Sequence, residues 1–237
     1  MKDTSIGGEL RPFPETSWST ILRGRVTDPV VRRKALEKLL ALYWKPVYGC
    51  MRFGWNKSPE DAKDAVQDFF IDLLERDFVR DIEPEKGRFR SFLKAALKHY
   101  MLNEKRGAGR VKRGGRLKTF SLDGFEEITT KPGEPDSVFD SVWFKTLLES
   151  AIQELGETLN RAERPDYFRV LKLYDLSGRK LSYAAAAEEL ALTETNVRNY
   201  LYYARKLLRR ILIRRISEYA LDEEDVRGEL RWILGSS

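Results

Sequence analysis

Between Ser182 and Arg215 two stretches of helical period meet across a very short corner, and no other feature of this 237-residue chain limits its fold as strongly. In the first stretch, LSYAAAAEEL, Ser182 is placed to cap a helix over 183–190. The second, LTETNVRNYLYYARKLLRRILIRR, offers Thr193 as a cap, with Glu194 in the first turn. Val197, Leu201, Ala204, Leu208 and Ile211 then recur at spacings of three and four and define one apolar seam. Ala184, Ala186 and Ala187 are small enough to let the first helix approach its neighbours closely. A short helix, a corner of about three residues and a longer helix predict a helix-turn-helix.

The polar side of the second helix is unusual. Residues 198–215 hold seven lysines and arginines, and no acidic residue stands between Glu194 and Glu218. An apolar seam would seat such a helix, and its basic side would meet a polyanion. In this geometry the first turns face a DNA major groove, which exposes Thr195, Asn196, Arg198, Asn199 and Tyr202. Asn and Arg suit base edges, whereas Thr and Tyr more often hold phosphate. Arg205, Lys206, Arg209 and Arg210 continue toward the DNA backbone. The competing readings are a solvated bundle face and a membrane-surface helix. The corner and its capped partner helix favour DNA.

Elsewhere the chain is also helical in pattern, with no strand alternation of any length. A short helix is expected at 16–24, and a longer one near 29–53 from Leu36, Leu39, Leu40, Tyr43, Trp44, Val47 and Met51, with a kink or break near residue 45 imposed by Pro46. Ser58-Pro59-Glu60-Asp61 starts a helix running to about Arg76. Residues 77–88 form a loop, and a further helix spans 89–105. The glycine-rich basic run GAGRVKRGGR and the acidic stretch through KPGEPD mark 107–136 as a flexible linker. Beyond it lie helices near 137–160 and 165–176. The tail LDEEDVRGELRWIL forms an amphipathic helix burying Leu221, Val226, Leu230, Trp232 and Ile233. The expected architecture is all-α: a helical domain over 16–106, the linker, a helix-turn-helix domain over 137–217 and an acidic tail over 218–237.

Charge is segregated along this plan. Residues 105–118 hold seven bases and no acid, 121–140 six acids and one lysine, and 218–229 six acids and one arginine. A lone cysteine, Cys50, excludes an intrachain disulfide framework and fits a cytoplasmic location. No apolar run is long enough to span a bilayer, so membrane insertion is not expected. The opening residues MKDTSIGGELRPFPETSW lack the apolar core of a secretion signal. The single histidine and the absence of a phosphate-loop motif leave no constellation for catalysis, metal binding or a cofactor. The chain is therefore read as non-enzymatic.

Three further blocks carry a resemblance: KALEKLLALYWKPVYGCMRFG, SPEDAKDAVQDFFIDLLER and FRSFLKAALKHYMLNEKR. With the helix-turn-helix they make the chain similar to small bacterial sigma-70 family RNA polymerase sigma factors of the extracytoplasmic-function (ECF) type, over about 18–106 and 138–212. The resemblance implies transcription initiation, with core RNA polymerase and promoter DNA as partners. An anti-sigma or other regulatory protein is a further expectation, although no site for one can be read. Core polymerase would dock on the 58–76 helix through Asp61, Asp64, Gln67, Asp68, Phe70 and Asp72. The −10 element would meet Arg88, Arg90, Lys94, Lys98, His99, Asn103 and Arg106; Phe89, Phe92 and Tyr100 are rings that either hold an unstacked base or belong to the core. The −35 element would meet Thr193, Thr195, Asn196, Arg198, Asn199, Tyr202, Arg205 and Arg209. Ala185 and Ala186 replace the glutamate and large aliphatic residue usual in the family, and Ala191 replaces the usual corner glycine. The alternative is a helix-turn-helix regulator that acts on DNA by itself, a class that gives the 58–76 helix no role.

Overall fold

All regular structure among the described residues is helical. The structure, a computed structural model, describes residues 30, 34, 43–75, 89–107, 132–218, 220 and 223–235; of 74–75, 105–107 and 232–235 it describes the backbone alone. The expected 16–24 helix, the positions Leu36, Leu39 and Leu40, the loop at 77–88 and residues 108–131 of the expected linker lie outside the described residues. In chain order the helices are α1 (43–49), widening into a π-helical turn at Cys50–Gly54, α2 (Pro59–Glu75), α3 (Phe89–Gly107) and α4 (Pro135–Arg161). They continue with α5 (Pro165–Leu171), widening into a second π turn at Lys172–Leu176, then α6 (Tyr183–Leu190), α7 (Glu194–Ser217) and α8 (Glu223–Gly235).

Local chemistry sets most of these starts. At α2 the Ser58 hydroxyl accepts the Asp61 N–H at 3.1 Å and donates to the Asp61 carboxylate at 2.8 Å, which satisfies an orphan donor of the first turn. Proline opens α4 and α5, where its missing N–H deprives the helix of nothing. Pro46 behaves differently from expectation: residues on both sides of it are helical, and no break occurs at residue 45. The irregularity falls at the π turn, closed by the Trp55 N–H on the Cys50 carbonyl at 3.0 Å. There α1 and α4 approach closely. A Cβ on Gly54 would lie 2.7 Å from Pro135 Cα, and one on Gly49 would lie 2.7 Å from Val142 Cγ2. The Cys50 thiol donates to the Pro135 carbonyl at 3.1 Å, and the cysteine is buried.

Contacts gather the chain into two units, and the division falls inside α2, after Asp68. In the unit containing 43–68 and 132–216, the Tyr43 and Phe139 rings stack with centroids 6.3 Å apart. Farther along α4, Ala151, Leu155 and Leu159 join Val170 and Leu171 of α5, Ala186 and Ala187 of α6, and Val197, Leu201, Ala204 and Ile211 of α7 in one buried cluster. Leu208 is only partly buried against it, and of the three small residues Ala184, Ala186 and Ala187, Ala184 is exposed and the other two are buried. Leu147, Leu148 and Ile152 of α4 are half-buried rather than enclosed.

The other unit contains the end of α2, α3 and α8. Phe69, Phe70 and Leu73 are buried in it, as are Phe89, Leu93, Leu97 and Met101. Tyr100 meets Phe69 edge to face at 5.3 Å. The tail is helical as expected, and Val226 is buried. Leu230 is half-buried, while Leu221 and the side chains of Trp232 and Ile233 lie outside the described residues. Among the described side chains of α8, the most completely buried is an acid. Glu229, 1% exposed, lies 2.9 Å from the guanidinium of Arg90, which is 7% exposed.

Candidate nucleic-acid interface

The corner between α6 and α7 is fixed by backbone bonds together with two hydroxyl caps. Ser182 accepts the Ala185 N–H at 3.1 Å and so starts α6. Ala191 ends it in the left-handed conformation at φ 55°, and the Leu192 N–H returns to the Ala187 carbonyl at 2.9 Å. Thr193 then caps α7 by accepting the Asn196 N–H at 3.1 Å. The left-handed conformation costs a residue with a Cβ roughly 1–2 kcal/mol, and glycine gives back part of that gain as chain entropy. Ala191→Gly is therefore expected to stabilise the fold by about 0.5–1 kcal/mol, measurable as a raised denaturant midpoint at unchanged slope.

With its seam buried, α7 turns its polar residues outward. Thr193, Thr195, Arg198, Asn199, Tyr202, Arg205 and Arg209 are exposed, and Asn196 is half-buried. Tyr202 is the most open large hydrophobic side chain of the helix, at 69% exposure. The row of positive charge is more compensated than the local sequence indicates. Arg198 pairs with Glu194 at 3.1 Å. Arg205 makes a two-point bridge to Asp175, at 2.8 and 2.6 Å, and these bonds raise its pKa above the ordinary arginine value. Arg214 and Arg215 converge on Glu154, with Arg215 at 2.9 Å. Lys206, Arg209 and Arg210 have no ion-pair partner among the described residues, and they carry the uncompensated charge of the face.

Three residues that sequence reading did not nominate hold this face in shape: Tyr174, Asp175 and Tyr183. The two tyrosine rings stack 5.0 Å apart and within 10° of parallel. Arg198 lies over the Tyr183 ring at 5.1 Å, and Arg205 over Tyr174 at 5.8 Å. Lost solvation, and then its neighbour Tyr183, raise the Tyr174 pKa, so this phenol stays neutral near pH 7. Asp175 is thirty residues from Arg205 in the chain, a distance at which charge counting along one helix sees nothing.

The other nominated residues are distributed as follows. Along α2, Asp61, Asp64 and Asp68 are exposed and Gln67 and Asp72 are half-buried, all on one continuous helix. Asp61 also belongs to the Ser58 cap. Phe70 is fully buried, so its ring packs the interior. On α3, Lys98, His99 and Asn103 are exposed and Lys94 is half-buried. Asn103 donates to His99 Nδ1 at 3.1 Å. Arg90 points into the interior toward Glu229 and presents no exposed guanidinium. Phe89 is fully buried, whereas Phe92 and Tyr100 are half-buried. Arg88 and the side chain of Arg106 lie outside the described residues.

Among the described residues no group of three or more His, Cys, Asp and Glu side chains is placed to hold a metal ion. Nor is any described helix long and apolar enough to cross a membrane. Neither a curated relative nor a solved structure matches the chain. A family model described as ECF sigma factor does match it, over residues 33–213, a span that takes in α1 through most of α7. With that span covering most of the chain, and with a capped helix-turn-helix presenting a basic face inside it, the chain belongs to the ECF sigma factors, non-enzymatic proteins of transcription initiation.

Proposed function

We propose that this chain binds core RNA polymerase and directs it to a set of promoters in the cytoplasm, recognising the −35 element through α7 and supporting strand opening at the −10 element through α3. The observation that carries this reading is the exposed amide and arginine face on the first turns of α7, directly after a corner fixed by Ser182, Ala191 and Thr193. The exposed acids Asp61 and Asp64, three residues apart on α2, support a docking role, because neighbouring carboxylates on one helix face favour a basic partner. Of the residues expected to meet the −10 element, Lys98, His99 and Asn103 are exposed on α3 among the described side chains. In this reading residues 107–136 connect the two DNA contacts.

Capture of core polymerase on the immobilised full chain tests the reading. Stoichiometric retention supports it, whereas specific duplex binding without polymerase retention replaces it with a free-standing regulator. A variant gives a second test. Arg209 is exposed and without an ion-pair partner among the described residues, so Arg209→Ala should weaken every duplex by a similar factor. It should also lower the slope of log K against log salt by about 0.9, the value for one phosphate contact.

A further inference from the structure

Arg198 stands where α7 would read a base, yet an exposed arginine on one helix has many rotamers. Its ion pair with Glu194 is an exposed i,i+4 contact, weak and screened by salt. The stack on Tyr183 is a constraint of another kind. Tyr183 is the first residue of α6 and is half-buried, so its ring does not swing freely. Behind it lies Tyr174, parallel at 5.0 Å, and behind that Arg205, held from two atoms by Asp175. The order Arg198, Tyr183, Tyr174, Arg205 is thus a ladder of two stacked rings between two cations, anchored at its far end by a carboxylate.

From this geometry we infer that Tyr183 is a positioning residue for base reading: its ring fixes the guanidinium plane of Arg198, with Tyr174, Arg205 and Asp175 bracing that ring from behind. The inference rests on the reading of α7 as the DNA-recognition helix. A ring holds a guanidinium by its face and leaves the N–H edges free, and those edges are what form a two-point contact with guanine O6 and N7. A guanidinium already fixed in plane loses less side-chain freedom on binding, which increases the difference between the right base and a wrong one. Arg205 acquires a different role from the one its sequence position implies, since Asp175 engages the same donors that a phosphate would need. It acts as a brace.

The test uses the full-length protein with core polymerase and a pool of duplexes randomised across the upstream contact region, scored as base preference at each position. Four variants are compared: Arg198→Ala, Tyr183→Ala, Tyr183→Phe and the Arg198→Ala/Tyr183→Ala pair. Arg198→Ala should flatten preference at one position. Tyr183→Ala should flatten the same position by about five-fold or more, the low end for one bidentate arginine contact, and leave the salt slope unchanged. Tyr183→Phe keeps the ring and should retain the preference, and the double variant should lose no more than Arg198→Ala alone. Tyr183→Ala protein that is folded by circular dichroism and keeps the preference overturns the inference, as does loss of preference in Tyr183→Phe. If Arg198→Ala itself changes no preference, the reading of α7 has failed instead. Should Tyr183→Ala not fold, the decision passes to Tyr183→Leu, which fills space without a flat ring and should behave like the alanine variant.

Discussion

Glu229→Ala is expected to destabilise the unit that holds the end of α2, α3 and α8 by about 3–5 kcal/mol, the range for removing one partner of a buried ion pair. The reason is the environment of Arg90. Its guanidinium is 7% exposed and 2.9 Å from Glu229, so deleting the carboxylate removes a counter-charge at contact distance from a cation held out of water. The pair as a whole is not expected to be strongly stabilising, because removing two charges from water offsets most of their attraction. Replacing both residues, as in Arg90→Met/Glu229→Met, should therefore recover most of the loss. Denaturant unfolding of the two variants provides the comparison. If Glu229→Ala shifts the midpoint no more than a surface substitution, the pair is not buried in solution.

The contact also bears on DNA. Arg90 was nominated for the −10 element by resemblance, and with α8 in place its guanidinium is covered. Lys98, His99 and Asn103 remain exposed on the same helix and are the better sites at which to test the −10 contact by substitution.

The second large effect concerns α2. Reversing two exposed acids, Asp64→Lys with Asp68→Lys, is expected to reduce affinity for core polymerase about 100-fold, since like charges brought together at an interface cost several kcal/mol. The apolar residues buried on that helix, Ala62, Ala65, Val66, Phe69, Phe70 and Leu73, are untouched, so the thermal midpoint should move little. Binding of duplex DNA by the variant in the absence of polymerase should also be unchanged. Retained polymerase affinity would remove α2 from the docking surface.

What could be read from the sequence is what depends on neighbours in the chain. Ser182 and Thr193 read as caps and Ser58 as a helix start because the hydroxyl and the N–H it accepts are three residues apart, and all three hydroxyls form that bond. The α6 boundaries at Tyr183 and Leu190 follow from the same logic. The buried seam of α7 was legible through apolar period, with Leu208 as the position where period overstated enclosure.

What was missed is set by packing between distant segments. The π turn at Cys50–Gly54 sits where Gly54 lies against Pro135, a contact that no local pattern around Pro46 announces. Charge balance on α7 was misjudged for the same reason: Asp175 and Glu154 are thirty and about sixty residues away from the arginines they meet. Glu229 did leave a trace. It stands three residues after Val226 and four before Ile233, in line with the apolar stripe of α8, where a charged residue is buried only if paired.

The central claim is that this chain gives core polymerase its promoter choice. Transcription by core bacterial RNA polymerase on a fragment library from the source genome, with and without the full-length protein, and with transcript 5′ ends sequenced, tests it most directly. Discrete starts are expected that appear only with the protein and share two upstream sequence elements, with the upstream one altered by Arg198→Ala. Starts that are unchanged by adding the protein would contradict it.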